Sequence, residues 1–365
     1  MNSAALRALY VCECCGKVAG MGVNIKTIAE MAGVSVSTVS KIMNNYSDVS
    51  DKTKQRVWEI IHQTGYSPSS SAKTLVSKKS SLIGVIFAGE LNVEFTHPFF
   101  VEVLNAFKKQ MGVLGYDLIF FSNEKMFRGG DYYARSRHFQ VEGCVIISGE
   151  KMEPAIRELD QSDIPCIGVD LELTGAKSGY VMSDNAQIAA KVVEHFYLLG
   201  YRDLGFIGSA ADSEISQQRE AGYVKAISGF GLTPQPEWFV HGDDFFEPSG
   251  YAAMCRILDS GSLPRAVFAA SDLLALGAIR ALRERGLRVP EDVAIAGCDD
   301  IEASRYTTPA LTTVRQNKER LGVLAAHMLY DLINGQSEGG SFVVEPALVV
   351  RESCGSGGQG TGPVA

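Results

Sequence analysis

The stretch Asn24-Ile-Lys-Thr-Ile-Ala-Glu-Met-Ala-Gly33-Val-Ser-Val-Ser-Thr-Val-Ser-Lys-Ile-Met43 sets the reading of the whole chain. Its apolar residues fall into two short helical patterns, Ile25/Ile28/Ala29/Ala32 and Val36/Val39/Ile42/Met43, separated by Gly33. The pattern predicts helix, tight turn, helix. Ser35 is placed to cap the second helix through a free backbone N–H and to leave that positive end facing outward for a phosphate. The exposed face then carries Val36, Ser37, Ser40 and Lys41, mostly small side chains that permit close approach to a surface.

Two small helices cannot bury a core by themselves. Residues Ser50 to Thr64 supply a third wall, with Val57, Ile60 and Ile61 on one stripe and Gly65 as its C-terminal cap. The continuation Tyr66-Ser-Pro68-Ser-Ser-Ser-Ala72-Lys-Thr-Leu75 allows one more short helix, with Ser67 as cap and Pro68 in its first turn. Ala72 and Leu75 offer too little apolar surface to fold unaided, so this segment should order only against a partner.

Ala32, Gly33, Val34, Ser35, Thr38, Val39, Ser40, Asn44, Tyr66, Pro68, Ala72 and Leu75, in that order, resemble the start of the LacI/GalR family of transcription regulators. The resemblance implies a DNA-reading head and a partner in double-stranded, pseudo-palindromic operator DNA. In that pattern Val36 and Ser37 match the base-reading pair: a valine can pack on a thymine methyl, and a serine hydroxyl can donate or accept. Lys41 stands where many relatives place arginine, giving a point charge in place of a bidentate fork. Asn24, Ser35, Thr38, Asn44 and Tyr66 are the expected backbone-positioning contacts. Leu75 matches the leucine that wedges into the minor groove, and Ala72 shares its hinge helix. Ser71 replaces a valine that packs hinge against hinge in many relatives, which should make this hinge more dependent on DNA.

With 365 residues, 46% hydrophobic and 21% charged, the chain is long enough for two or three domains, and no apolar run approaches a membrane span. The net charge of −8 is unevenly spread: +1 over residues 1 to 20 and +4 over 21 to 80 leave −13 for the remainder. A basic head on an acidic body suits a phosphate-binding module attached to a separately functioning domain. Of eight cysteines, those at 144, 166, 255, 298 and 354 stand alone and read as free thiols, mostly buried. Cys12-x-Cys14-Cys15 is too short for a zinc site and has no histidine nearby, so neither a metal nor a cofactor is expected.

Residues 1 to 20 read either as a disordered extension or as lying before a natural start at Met21, the second being favoured, and not as a signal peptide, because Arg7 interrupts the apolar run. The expected location is the cytoplasm. Residues 21 to 66 form the head, 67 to 80 the hinge and linker, 81 to 354 the effector-binding and dimerisation domain, and 355 to 365 a Gly-rich disordered tail without a tetramer-forming heptad.

From Leu82 the pattern becomes short apolar runs alternating with amphipathic helices. Strands are expected at Leu82 to Ala88, Tyr116 to Ser122, Gly143 to Ser148 and Cys166 to Asp170, with a helix at Phe99 to Gly112. A second round gives helices at Ile188 to Leu199, Gln217 to Ser228, Ser249 to Ser260 and Leu273 to Glu284. Its strands are Leu204 to Gly208, Trp238 to Gly242, Ala266 to Ala270 and Val293 to Gly297. Thr312 to Val314, a helix at Arg320 to Ile333 and one closing strand at Phe342 to Val350 complete the chain. Two α/β lobes with late crossings imply a clamshell. The family resemblance agrees, implying a type I periplasmic-binding-protein-like domain behind an all-α helix-turn-helix head, assembled as a homodimer.

Open α/β sheets bind ligands at the carboxyl ends of their strands, where Asp170, Ser271 and Asp299 fall. Arg219 and Asp299 match family positions that hold effector hydroxyls, and Phe99, Phe100 and Phe245 are aromatic where the family stacks a ring. The expected effector is a sugar or sugar derivative, with a phosphoprotein co-regulator as the alternative. Asp272 and Asp184 are read as helix caps. An enzyme is disfavoured by the lack of Gly-x-Ser-x-Gly, His-Glu-x-x-His or a Walker loop. An extracytoplasmic solute receptor would share the clamshell but has no use for residues 24 to 75.

Overall fold

The computed structural model describes residues 23–43, 46–66, 79–87, 95–122, 131–148, 152–211 and 213–355. The proposed extension, Asn44, the hinge segment with Ala72 and Leu75, and the tail beyond Gly355 lie outside the described residues. The chain divides into two compact units between Ser80 and Ser81.

The first unit is three helices: α1 (Ile25–Ala32), α2 (Val36–Met43) and α3 (Asp51–Thr64). Asn24 caps α1, its Oδ1 accepting from the amides of Lys26 and Thr27 at 3.0 and 3.1 Å. Gly33 ends the helix at φ +62°, a left-handed conformation that costs glycine nothing, and Val34 N–H returns to Ala29 carbonyl. Gly65 closes α3 the same way at φ +64°. Ile28, Ala29, Ala32, Val39, Ile42, Val57 and Ile61 are the core that the three amphipathic stripes create together.

The second unit holds two six-stranded sheets. In the first lobe β1 (Leu82–Phe87), β2 (Asp117–Phe121), β3 (Gly143–Ile147), β4 (Cys166–Val169), β5 (Ser178–Ser183) and β11 (Gly340–Val344) lie in the order β11-β5-β4-β3-β1-β2, all parallel. In the second, β6 (Leu204–Gly208), β7 (Phe239–His241), β8 (Ala266–Ala269), β9 (Ala294–Cys298), β10 (Thr312–Arg315) and β12 (Ala347–Val349) run β12-β10-β9-β8-β6-β7. Only β12 is antiparallel to its neighbour there. Parallel strands covered on both faces must be apolar throughout, and β3, β4, β6, β8 and β9 are buried at every residue.

The covering helices are α4 (Pro98–Val113), α5 (Tyr132–Phe139), α6 (Pro154–Asp160), α7 (Asn185–Leu198), α8 (Glu214–Gly229), α9 (Glu247–Asp259), α10 (Asp272–Glu284) and α11 (Lys318–Ile333). Three crossings join the lobes. From β5 the chain passes into α7, whose Ile188, Val192 and Phe196 pack in the second-lobe core. From β10 it returns through α11, whose Leu321, Ala325 and Leu329 pack in the first-lobe core. The last crossing corrects the expectation of one closing strand. Phe342 to Val350 is two strands in different sheets, broken at Glu345-Pro346, because proline has no N–H for a ladder and ends the pairing. The sequence reading also passed over α5, α6 and β5.

Four of the five described cysteines are buried, Cys255 is intermediate, and all five are free. No helix among the described residues is long and apolar enough to cross a membrane. Backbones of α9 and α10 meet at glycine: a Cβ on Gly277 would lie 2.1 Å from Glu247 carbonyl, and one on Gly250 2.1 Å from Leu274 carbonyl. Gly277→Ala should therefore cost about 1–3 kcal/mol in urea unfolding, the usual penalty of overpacking. Gly112→Ala, with nothing within 4 Å of its Cβ, is the control and should cost nothing; equal midpoints for both variants would contradict the close contact.

Candidate functional site

The head presents a short reading surface. Ser35 Oγ accepts the Thr38 amide at 3.1 Å, as expected of a cap, and shares hydroxyl contacts with Thr38 at 2.8 Å and Ser37 at 2.9 Å. Val36 is 39% exposed although it continues the apolar stripe of α2. Ser37 and Lys41 are exposed beside it, and Tyr66 packs against the head core. The Lys41 ammonium is paired with Asp48, whose hydrogen bond raises the lysine above its ordinary value and lowers the aspartate. Both side chains are half-exposed, so the pair contributes little to stability and a phosphate can compete for the lysine.

In the second unit one cavity collects side chains from both lobes. The first lobe brings His97, Phe99 and Phe100 from the start of α4 and Asp170 from the end of β4. The second brings Ile215 and Arg219 from α8, Phe245 from before α9, Ser271 from the end of β8 and Asp299 from the end of β9. Gln316, on the crossing after β10, completes the wall. All seven residues singled out in the sequence for this region line it, since strand ends and crossover helices of facing sheets converge here. The cavity holds ≈ 20 Å³, room for about one water, so the lobes must part for anything larger to enter.

Each polar group has its own environment. Arg219 is 2% exposed and anchored: Nε donates to Asn185 Oδ1 at 2.9 Å and Nη1 to Ala270 carbonyl at 2.5 Å. Ser271 caps α10, accepting from the Leu274 amide at 3.1 Å while its hydroxyl donates to Phe245 carbonyl at 2.9 Å. Asp299 Oδ1 accepts from Gln316 Nε2 at 2.6 Å. Asp170 and Asp299 adopt positive φ, +52° and +124°, an unfavourable backbone for a non-glycine residue. Burial pushes the Asp170 carboxyl up to about 7, with Arg219 opposing and Asp299 reinforcing the rise. Burial also holds the His97 imidazole below its ordinary value, which keeps it neutral at pH 7.

Asp272 is not the cap of α10. That role is Ser271's, and the Asp272 carboxylate instead accepts from Ile301 N–H at 2.9 Å, Ser304 Oγ at 2.6 Å and Thr313 Oγ1 at 2.5 Å. It ties the loop after β9, and so Asp299, to β10. Asp184 does cap α7, accepting from Gln187 N–H at 2.9 Å. Asp300 is held by Arg315 at 2.7 Å and by Arg351; burial alone would raise its carboxyl, but those hydrogen bonds bring it below the usual range.

Sequence reasoning missed His97, Ile215, Gln316 and Lys318. Gln316 was within reach of the strand-end argument that found Asp170 and Asp299, because it directly follows β10. Lys318, 9% exposed, donates to the carbonyls of Asp299 and Asp300 at 3.1 and 2.8 Å and pairs with Glu102 of α4 at 3.1 Å. One ammonium thus spans the lobes beside the cleft.

A helix-turn-helix head joined to a two-lobed α/β receptor defines a ligand-responsive class of transcription regulator. The family description "Bacterial regulatory proteins, lacI family" matches residues 24–69, and "Periplasmic binding protein-like domain" matches residues 193–354. The chain is 36% identical to the HTH-type transcriptional repressor PurR of Edwardsiella ictaluri over 91% of its own length and 97% of that protein's. The PurR of Proteus mirabilis is 35% identical over the same shares. A lac repressor dimer bound to operator and the anti-inducer ONPF superposes with TM-score 0.81 at 28% identity, covering 91% of this chain and 99% of that one. The CelR–cellobiose complex gives TM-score 0.68 at 29% identity over 91% and 100%. The chain belongs to the LacI family. It is a DNA-binding transcription regulator and not an enzyme.

A carboxyl titrating near 7 in the fold but near 3.9 in the unfolded chain keeps its proton longer when folded, so its contribution to stability falls as pH rises between those values. Asp170→Asn, which removes that titration and tolerates the left-handed backbone, should change the melting temperature relative to wild type more favourably at pH 8 than at pH 5, because most of the penalty develops between those two values. Calorimetry at the two pH values checks this; the same difference at both would contradict the buried, raised carboxyl.

Proposed function

We propose that this protein is a sequence-specific repressor, acting as a cytoplasmic homodimer on a pseudo-palindromic operator, whose DNA affinity is set by a sugar or sugar derivative bound between its lobes. The observation that carries the reading is the Lys318 ammonium, which is bonded to the first lobe through Glu102 and to the second through the Asp299 and Asp300 carbonyls. Any ligand that meets Asp299 changes the energy of that bridge, and so the preferred separation of the lobes. Lobe separation then sets the spacing of the paired hinge segments and the cost of kinking DNA. The relatives support this reading: the PurR proteins are transcriptional repressors, the lac repressor is a dimer on operator DNA, and CelR holds cellobiose.

On the DNA side Val36, Ser37 and Lys41 meet base edges, while Asn24, Ser35, Thr38, Asn44 and Tyr66 position the head on phosphates. Leu75 enters the minor groove at the operator centre, supported by Ala72. In the cleft Phe99, Phe100 and Phe245 stack on the apolar face of the ligand, and Asp170, Arg219, Ser271 and Asp299 contact its polar groups.

In a gel shift against an operator selected from a random library, Leu75→Ala should lower affinity by about tenfold or more, the scale expected when an apolar wedge is lost. Wild-type affinity in that variant would remove the wedge role. Titration calorimetry with a panel of sugars and nucleosides should give heat for at least one compound; silence throughout would favour control by a phosphoprotein.

A further inference from the structure

Lys41 and Asp48 form an ion pair on the exposed side of the head, beside Val36 and Ser37. Lys41 belongs to α2, whereas Asp48 sits in the turn that leads to α3. That turn is tied to α2 by the bond from Tyr46 N–H to the Lys41 carbonyl at 3.0 Å. The carboxylate thus reaches the ammonium from a separate stretch of backbone whose place is set. Each partner's hydrogen bond shifts the other toward its charged form, so both are ionised at neutral pH. The remaining acids of the head stand otherwise: Asp51 lies 3.9 Å from Lys54 within α3, and Glu59 accepts from Gln55 Nε2 at 3.1 Å.

A carboxylate on a surface that must approach phosphates weakens binding to every sequence, because it cancels a charge that would otherwise release counterions. Its presence beside a base-reading lysine calls for a compensating gain. A lysine alone is a strongly hydrated point charge on a flexible stem, and it meets a phosphate on any sequence with no preferred direction. Arginine avoids this through its rigid fork, which Lys41 lacks. An ammonium has three donors, and one of them here is given to Asp48. The other two are left pointing within a restricted cone, and guanine offers two acceptors, N7 and O6, in the major groove. With its charge balanced, the tethered lysine adds little to sequence-independent attraction while keeping its donors for a base edge.

We propose that Asp48 is a specificity-determining residue of the head, which positions Lys41 for a guanine and masks its charge from phosphates. The proposal rests on the reading of Lys41 as a base contact and deepens it. Asp48 acts through the lysine and is a positioning residue: it supplies the direction that an arginine at this place would carry in its own side chain.

The test is fluorescence anisotropy on the full-length protein over a range of salt. The duplexes are an operator selected from a random library, that operator with each G·C pair exchanged in turn for A·T, and an unrelated sequence. Asp48→Ala should bind the unrelated duplex about threefold more tightly or better, and its log–log salt dependence there should steepen by about 0.9, the value of one more neutralised phosphate. It should also lose about tenfold in discrimination at one G·C pair, the scale of a good base contact. Glu59→Gln removes the same unit of charge from the same head and should keep the wild-type salt slope and discrimination. Lys41→Met should lose discrimination at the same pair, and adding Asp48→Ala to it should lose no more. Lys41→Arg combined with Asp48→Ala should regain discrimination, since the fork needs no tether. If Asp48→Ala behaves like Glu59→Gln while Lys41→Met loses discrimination, Lys41 reads a base and the role of Asp48 is overturned. Tighter non-specific binding with discrimination intact overturns the positioning of Lys41. Full discrimination in Lys41→Met overturns the base contact and the proposal together.

Discussion

Lys318 carries the contact on which the clamshell depends. Its ammonium is nearly buried, and a buried cation is tolerated only when its donors are used. Here they are used on both sides of the cleft, on Glu102 in one lobe and on the Asp299 and Asp300 carbonyls in the other. Because those carbonyls belong to residues at positive φ, the same bonds help hold an unfavourable backbone whose side chain, Asp299, faces the cavity. Lobe arrangement and the wall of the cavity thus share atoms, a physical link that does not require a long relay through the fold.

Around this seam the lobes are joined only by short crossings. Crossing segments are short, at Asp184, at Gln316-Asn317 and at Glu345-Pro346, and each leads at once into an element packed in one lobe only. Asp184 and Asn317 cap the helices that follow them, α7 and α11, which fixes where rigid structure begins. Asp272 does related work inside the second lobe, gathering the loop after β9 against β10 so that Asp299 is presented from a firm base.

Much of this is legible in the sequence. Gly33 and Ser35 announced the turn and the cap of the head because their chemistry is local, and continuous apolar runs announced parallel strands because burial on both faces leaves no other pattern. Tyr132–Phe139 escaped because it is polar overall with only Tyr132 and Ser136 buried, so its periodicity carries no signal. Ser178–Ser183 begins and ends in serine and includes glycine, a composition that hides a buried strand. In the cleft, Asp170 and Asp299 could be found from their place after strands. His97 and Lys318 could not, since each meets groups distant in sequence: Phe246 beside one, Glu102 and the β9 loop around the other.

The most direct test of the account is the operator-coupling ratio of Lys318→Met, a variant that keeps the length of the side chain and removes its charge. Operator affinity is measured by fluorescence anisotropy with and without a saturating cleft ligand, beside a calorimetric check that the ligand still binds. The account predicts that Lys318→Met binds ligand yet shows little of the ligand-dependent change in operator affinity seen in wild type. A full wild-type change in the variant would contradict it, since the lobes would then be coupled to DNA by something other than this bridge.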